Sequence, residues 1–593
     1  MLKTFSLSNF KAFADLQQIP LRPLTLIFGP NSSGKSSIIH GLVLGRQAQD
    51  TGNLDVHRTE VGGDAVDLGG FSQYIFHRDN SRRMEWAIEV DTAAFSGRLA
   101  ELFAVSKRVS LTVQIGLALV EETRMKAMVD QRGAPMLGVG RMQTGELVPS
   151  GVPQVQVYEI AVDSAPILRA SRRPNGRFQV DQVFDDHPLF RELLKSLVLA
   201  STTTESVQPS DYEGLADTIG AMVPDLSLES STLLPDRLLI TGKPVVVEPS
   251  MLVAVGRGTR QENLAAAVQM YFPRVLNEMI SGLSAAMAEE LKRFQYLGPL
   301  RSYPPRHIAF SQHHDPNWQA GGGWAWDEVR RNPVVREKVN SWLGSEERLQ
   351  TPYALAVREL IAIDDLEPTL VHELDRLQEE GFGLEGEPNA KYTIRLADGD
   401  EKVVSEGSVH DVDTEAAARR MQDAVRGADV EKVQELVLID RRTETIVTHR
   451  DVGIGISQVL PVLVAAYASQ NRILAMEQPE IHLHPALQAE LGDVFITSAL
   501  GTQKNTFILE THSEHLILRI LRRIRETQEG KQGPGFVPVR PEDVSILYVS
   551  PTKNGSVITE IPTTVEGDFA TRWPEGFFPE RAKELFWVLD ENL

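Results

Sequence analysis

The 593-residue sequence contains no cysteine. This excludes disulfides, thiolate metal sites and a cysteine nucleophile, and it fits a reducing compartment. Long apolar runs are also missing. The longest, VLPVLVAAY from Val459 to Tyr467, is far too short to span a bilayer, and the start MLKTFSLSNFKAF lacks the apolar centre of a signal peptide. A cytoplasmic protein with no membrane partner is expected. Positive charge is in deficit: the formal net charge is -21, so any grip on nucleic acid has to come from a local groove, and protein partners are favoured. No heptad pattern is sustained long enough for an extended coiled coil, and no repeat of solenoid period is present.

What is there is ordinary for a globular protein, with 42% hydrophobic and 24% charged residues. The length suggests several compact units or one domain with large insertions. Residues 1–83 read as the first part of an α/β core. The buried run LTLIFG ends in Gly29, and SSIIHGLVLGRQ turns helical from Ser36. Residues 84–200 carry short alternating runs (MEWAIEV, VSLTVQIGLAL, VQVYEIAV, RFQVDQVF) that predict an antiparallel β lobe. Residues 201–310 read as a polar linker and a helical part from about Glu262 to Phe294, broken near Pro273. Residues 311–434 open on NWQAGGGWAW and read as a mostly helical insertion containing PYALAVRELIAI and TEAAARRMQDAVRG. From 435 to 593 strand and helix patterns alternate again, which suggests one core split by insertions.

The strongest chemical signal is GPNSSGKSS, which sets Gly29, Gly34, Lys35 and Ser36 at the spacing G-x-x-x-x-G-K-[ST]. Successive backbone N–H groups, including those around Asn31 and Ser37, must wrap phosphates at a helix N-terminus. The lysine then reaches the β and γ phosphates, and the hydroxyl binds Mg²⁺. A buried strand before it and an apolar-periodic helix after it supply the required context. Downstream, RILAMEQPEIHLHP brings Glu477 to the end of an apolar run, TFILETHSEH delivers Thr511 and His512, and DVGIGISQVLPVLV leads through Ser457 and Gln458 into an apolar helix.

In this order the motifs resemble the ABC-type ATPases of the OLD and RecF-like group, within the broad AAA class found in bacterial anti-phage systems such as Septu and PARIS. YLGPLRSYPPR and the tail WPEGFF look like a stand-alone subfamily of these ATPases. The resemblance implies an α/β fold: an ABC-ATPase-like head with a mixed sheet, an antiparallel β lobe and the helical insertion. It also implies ATP and Mg²⁺ as cofactors and a head that works as an ATP-dependent homodimer or higher oligomer. On that reading Lys35 and Ser36 hold phosphate and metal, Glu477 supports the metal, His512 senses the γ-phosphate, and Ser457 contacts it from the partner subunit. Gln73 in LGGFSQYIF is the candidate for the glutamine that links metal to the β lobe; the same letters fit a surface glutamine.

Two departures matter. The signature reads GIGISQ where LSGGQ is usual. The base position holds Gln478, which can orient a water molecule but cannot accept its proton. Binding of ATP and slow hydrolysis are expected, with Glu480 and His482 as substitute bases that no geometry favours. The functions in competition are an ATP-dependent switch or scaffold for a protein effector encoded nearby in anti-phage defence, and a RecF-like repair ATPase that clamps DNA. An OLD-type nuclease is disfavoured, because about 80 residues follow His512 and they lack clustered metal-binding acids. Glu480, His482 and His484 share a face of an extended segment, yet a turn explains them better than a metal cluster. Arg519, Arg522, Arg523 and Arg525 form either a DNA-contacting face or the solvated side of an amphipathic helix. Trp318, Trp324 and Trp326 anchor a loop, meet a partner or offer a stacking platform.

Overall fold

A computed structural model of the chain describes residues 2–126, 142–201, 209–240, 243–244, 259–301, 317–345, 351–361, 368–373, 375–376, 391–395, 401–406, 414–427, 432–447, 454–533 and 535–574. The polar linker near 202–208 and most of the tail WPEGFF lie outside them.

Two large sheets organise these residues. One is six-stranded: β1 (Leu24–Phe28), β2 (Phe294–Leu297), β3 (Ile473–Glu477), β4 (Thr506–Glu510), β5 (Val544–Thr552) and β6 (Gly555–Glu560), in the spatial order β2-β3-β4-β1-β5-β6. Every neighbouring pair is parallel except β5 with β6. Parallel strands are covered on both faces, so they can be apolar throughout; β1, β3 and β4 are buried at all five positions. Alternation still sorts their side chains. Ile27, Ala475 and Ile508 join one core, while Leu26, Phe28, Leu474, Met476, Phe507 and Leu509 join the other.

The second sheet is ten-stranded and antiparallel, running from Lys243–Pro244 at one edge to Gln17–Pro20 at the other. It contains the expected runs of the β lobe, and it also recruits the N-terminal strand Leu2–Ser8, which pairs with Met84–Asp91. Helix α1 (Lys35–Thr51) lies between the sheets. It carries glycines where the antiparallel sheet comes closest: a Cβ on Gly45 would stand 2.3 Å from the Trp86 ring, and Trp86 Nε1 donates to Gly41 O at 3.0 Å. Glycine in a helix costs about 1 kcal/mol relative to alanine; here it admits a tryptophan and ties the lobe to the phosphate loop.

The other face of the six-stranded sheet is covered by α2 (Ile454–Ala468), α3 (Pro485–Leu500) and α4 (Glu514–Gln528). Trp573 closes this core against Phe28, Tyr548 and Phe569. No helix among the described residues is long and apolar enough to cross a membrane.

Two local expectations change. The helix expected to break near Pro273 runs unbroken from Arg260 to Lys292, started by a reciprocal Thr259–Glu262 capping box and held by its buried apolar face. PYALAVRELIAI, expected inside a helical insertion, supplies the strand Tyr353–Ile361, which pairs along its whole length with Lys432–Asp440. Tertiary pairing has overridden a helix-compatible composition. Helices Gly323–Arg331, Pro333–Gly344 and Thr414–Gly427 occupy the same region.

Candidate functional site

The polar residues gather at the carboxyl ends of β1, β3 and β4, where an open parallel sheet places its ligands. After β1 the chain turns through Gly29 and Gly34, with φ of 147° and 100°, into α1. A Cβ at Gly29 would meet Val549 O at 2.4 Å and one at Gly34 would meet Ala12 Cβ at 2.5 Å, so neither position admits a side chain. Asn31 is exposed on the loop, and Ser37 is buried in the first turn of α1. The Lys35 ammonium folds back on the loop, donating to Gly29 O at 3.1 Å and Pro30 O at 2.9 Å. Burial holds its pKa below the usual lysine range. Ser33 Oγ is buried with no partner.

Two carboxylates face this loop. Glu477 ends β3 and Glu510 ends β4, and the two are direct partners across the parallel pair. Ser36 Oγ donates to Glu510 Oε2 at 2.7 Å. Glu477 Oε1 accepts from Tyr296 OH at 2.9 Å and lies 3.3 Å from His40 Nε2, while His40 Nδ1 is 2.7 Å from Lys11 Nζ. Burial, and then the neighbouring Glu477, raise the Glu510 pKa to about 7. Burial likewise lowers Lys11 to about 8 and keeps His40 below its ordinary value.

The donors near Ser36 are a hydroxyl and two carboxylates, the hard oxygen set that suits Mg²⁺. Among the described residues no group of three or more His, Cys, Asp or Glu could hold a metal by itself. A cation here would therefore draw on phosphate and water oxygens, as Mg²⁺ ordinarily does. The orphaned Ser33 hydroxyl and the lysine resting on carbonyls fit a phosphate in the same way. The residues present thus suit both groups.

The turn after β3 is firmly held. Gln478 has a φ of 45°, a left-handed conformation that a glutamine adopts only when its surroundings impose it. Its N–H donates to Glu510 O at 2.7 Å. Arg301, 4% exposed, donates to Glu477 O and Gln478 O, each at 3.1 Å, and to Gln458 O at 3.2 Å. The Gln458 side chain returns the contact by bonding to Arg301 O and N. Arg301 thus joins the motif after β3 to the start of α2, and burial lowers its pKa to about 10. Glu480 turns inward and accepts from His512 N–H at 2.7 Å; burial raises its pKa. His512 is half-buried, and its pKa is lowered by burial and by Lys35.

The sequence-predicted residues are therefore mostly brought together: Lys35, Ser36, Glu477, Gln478 and His512 share one rim. Ser457 lies in the first turns of α2 at 1% exposure, which leaves it no contact with a second subunit in this conformation. Gln73 is exposed on the short helix Phe71–Tyr74 and takes no part in the hydrogen bonds around Glu477. His482 and His484 are exposed, and His484 caps α3 through Nδ1. The arginines of α4 are paired: Arg519 with Glu490 and Asp493, Arg523 with Asp493 and Glu526, Arg522 with Glu526, and Arg525 with Asp568. Trp326 is buried and the Trp318 ring packs on Gly323, so these two anchor their loop.

Sequence reasoning missed Glu510, Tyr296, His40 and Lys11. Glu510 was in view: TFILE ends a buried run in a carboxylate just as ILAME does. The other three come from distant segments and only the fold assembles them.

Comparison with known proteins agrees on the class. Residues 4–77 match the family described as "AAA domain", and residues 324–519 match "AAA domain, putative AbiEii toxin, Type IV TA system". The two matched segments hold the Gly29–Ser36 loop and the strand ending in Glu477. No curated protein matches the chain. Similar solved structures include an SMC head bound to the C-winged helix domain of ScpA, at 9% identity, covering 95% of this chain and 97% of that one with a TM-score of 0.31. Another is an SMC head with an extended coiled coil bound to the C-terminal domain of ScpA, derived from Pyrococcus furiosus, at 10% identity, 95% and 96% coverage and a TM-score of 0.31. The SMC head domain from Thermotoga maritima gives 8%, 95% and 99%, and 0.30. At TM-scores this low the functional reading rests on the site's own geometry.

Proposed function

We propose that this protein is an ATP-binding, slowly hydrolysing ABC-type ATPase that pairs with a second copy around ATP and acts as a switch or scaffold for a protein effector in anti-phage defence. The observation that carries the reading is that the loop bearing Lys35 and Ser36 meets the paired strand ends Glu477 and Glu510, through the Ser36–Glu510 bond, on a rim where the base position holds Gln478.

Lys35 and the N–H groups of the loop from Gly29 to Ser37 bind and orient the phosphates. Ser36 and the paired carboxylates at the ends of β3 and β4 would hold the cation, whose charge would neutralise the phosphates. His512 senses the γ-phosphate, and its backbone bond to Glu480 passes that position to the turn after β3. Gln478 orients water without taking its proton, which keeps turnover slow and the bound state long. Contact between Ser457 and a partner's phosphate requires α2 to turn the serine outward on closure. Because Arg301 bonds to both α2 and the turn after β3, such a rotation is felt at Gln478.

The defence role is supported by the resemblance of the motifs and by the family description that names a toxin of a type IV system. The RecF-like alternative loses its best local support, since the α4 arginines already have carboxylate partners. Solution mass with and without ATP tests the reading. A doubling or larger assembly with ATP, absent in Lys35→Ala, is expected; an unchanged mass at saturating ATP would sink the paired switch.

A further inference from the structure

The two carboxylates at the rim are not equivalent. They start side by side, because β3 and β4 place Glu477 and Glu510 in register. Helix α1 then offers a different partner to each. Ser36 and His40 stand four residues apart, hence one turn apart on one face. Ser36 meets Glu510 at 2.7 Å, and His40 stands 3.3 Å from Glu477.

Glu477 is further engaged by Tyr296 OH on the same oxygen, Oε1, so moving that oxygen toward Ser36 would break a buried hydrogen bond and leave the tyrosine hydroxyl unsatisfied. Glu510 needs no such move. In an octahedron with bonds of about 2.0–2.1 Å, neighbouring ligand oxygens stand about 2.9 Å apart. The Ser36 Oγ to Glu510 Oε2 separation of 2.7 Å is close to that edge. A cation can replace the proton between these oxygens with little displacement of either.

We propose that Glu510, from the strand next to the expected metal-bearing one, anchors the Mg²⁺ together with Ser36, while Glu477 is a positioning carboxylate held behind it by Tyr296 and His40. This rests on the reading of the phosphate loop as an ATP site. It reassigns the metal-facing acid from β3 to β4 and makes that acid the residue directly before Thr511 and His512. Occupancy of the metal is then coupled to the segment that senses the γ-phosphate.

The test uses the full chain with a non-hydrolysable ATP analogue and Mn²⁺ as the observed cation, read by electron paramagnetic resonance. Nucleotide affinity is measured separately in chelator. Glu510→Gln is expected to weaken Mn²⁺ retention about 10-fold or more, as loss of a metal-site carboxylate does, with metal-free nucleotide affinity changed by no more than about 2-fold. Ser36→Ala should match it, and Glu477→Gln should lose clearly less than either. Glu510→Asp, which keeps the charge, separates metal loss from misfolding: partial retention with an unchanged melting profile supports the assignment. A larger loss in Glu477→Gln than in Glu510→Gln, or equal losses in both, overturns it while leaving the ATP reading intact. Wild-type protein that binds no nucleotide in either condition would instead overturn the ATP reading itself.

Discussion

The two sheets solve the burial problem differently, and the contrast locates the chemistry. In the antiparallel sheet burial alternates: Met84–Asp91 buries Met84, Trp86, Ile88 and Val90 and leaves Glu85, Glu89 and Asp91 partly in water. Its charged side chains pair along its exposed surface, as in Arg108 with Glu89 and Arg173 with Asp181. In the parallel sheet β1, β3 and β4 are buried at every position. Charge enters β3 and β4 only at the carboxyl end, where Glu477 and Glu510 meet the phosphate loop. A sheet covered on both faces can do polar chemistry only at its rim, and there each buried polar group needs a named partner. The antiparallel sheet is mainly support, reaching the site through the Trp86 contact with α1 and through Lys11 and Ala12 between its strands Leu2–Ser8 and Gln17–Pro20.

The largest effect that could break this contrast belongs to that contact. Trp86→Ala should cost about 3–5 kcal/mol in urea unfolding, while the fraction still folded binds nucleotide with little change. Lost affinity in fully folded protein would show that the lobe tunes the site directly. Arg301→Met comes next. It strips donors from the carbonyls of Gln458, Glu477 and Gln478 and should cost at least about 1–3 kcal/mol, the cost of one unsatisfied buried group. Unfolding should reveal this, and an unchanged midpoint would mean that the turn is held without Arg301. The smallest of the three in stability, though not in function, is Lys35→Ala. Because it removes the desolvation cost of a buried ammonium along with that ammonium's bonds to Gly29 O and Pro30 O, it should change unfolding stability by only about 1 kcal/mol. Nucleotide affinity should fall about 10- to 100-fold, the worth of hydrogen bonds from a charged donor. Fluorescent nucleotide titration reads it.

The same contrast explains what could be read from the sequence. The phosphate loop was legible because glycine, lysine and serine must keep their spacing whatever surrounds them, and the antiparallel lobe because alternation marks half-buried strands. Glu510 reads from the sequence as the last strand residue before Thr511 and His512, although its strand has the same pattern as the one ending in Glu477. His40, Lys11 and Tyr296 carry no local sign, since a histidine inside a helix reads as packing until the fold sets it against Glu477. Pro273 and Tyr353–Ile361 were misjudged because distant partners decide whether a helix continues or a strand forms. The α4 arginines could not be assigned without seeing Asp493, Glu490, Glu526 and Asp568 opposite them.

The most direct test of the central claim, that Gln478 slows a site built to hold ATP, is steady-state ATP turnover by wild type and Gln478→Glu under identical Mg²⁺ and protein concentrations. The account predicts turnover near background in wild type and a clear gain, about 10-fold or more, when a general base is supplied. Brisk turnover in wild type with no gain in Gln478→Glu would contradict it and place the base elsewhere.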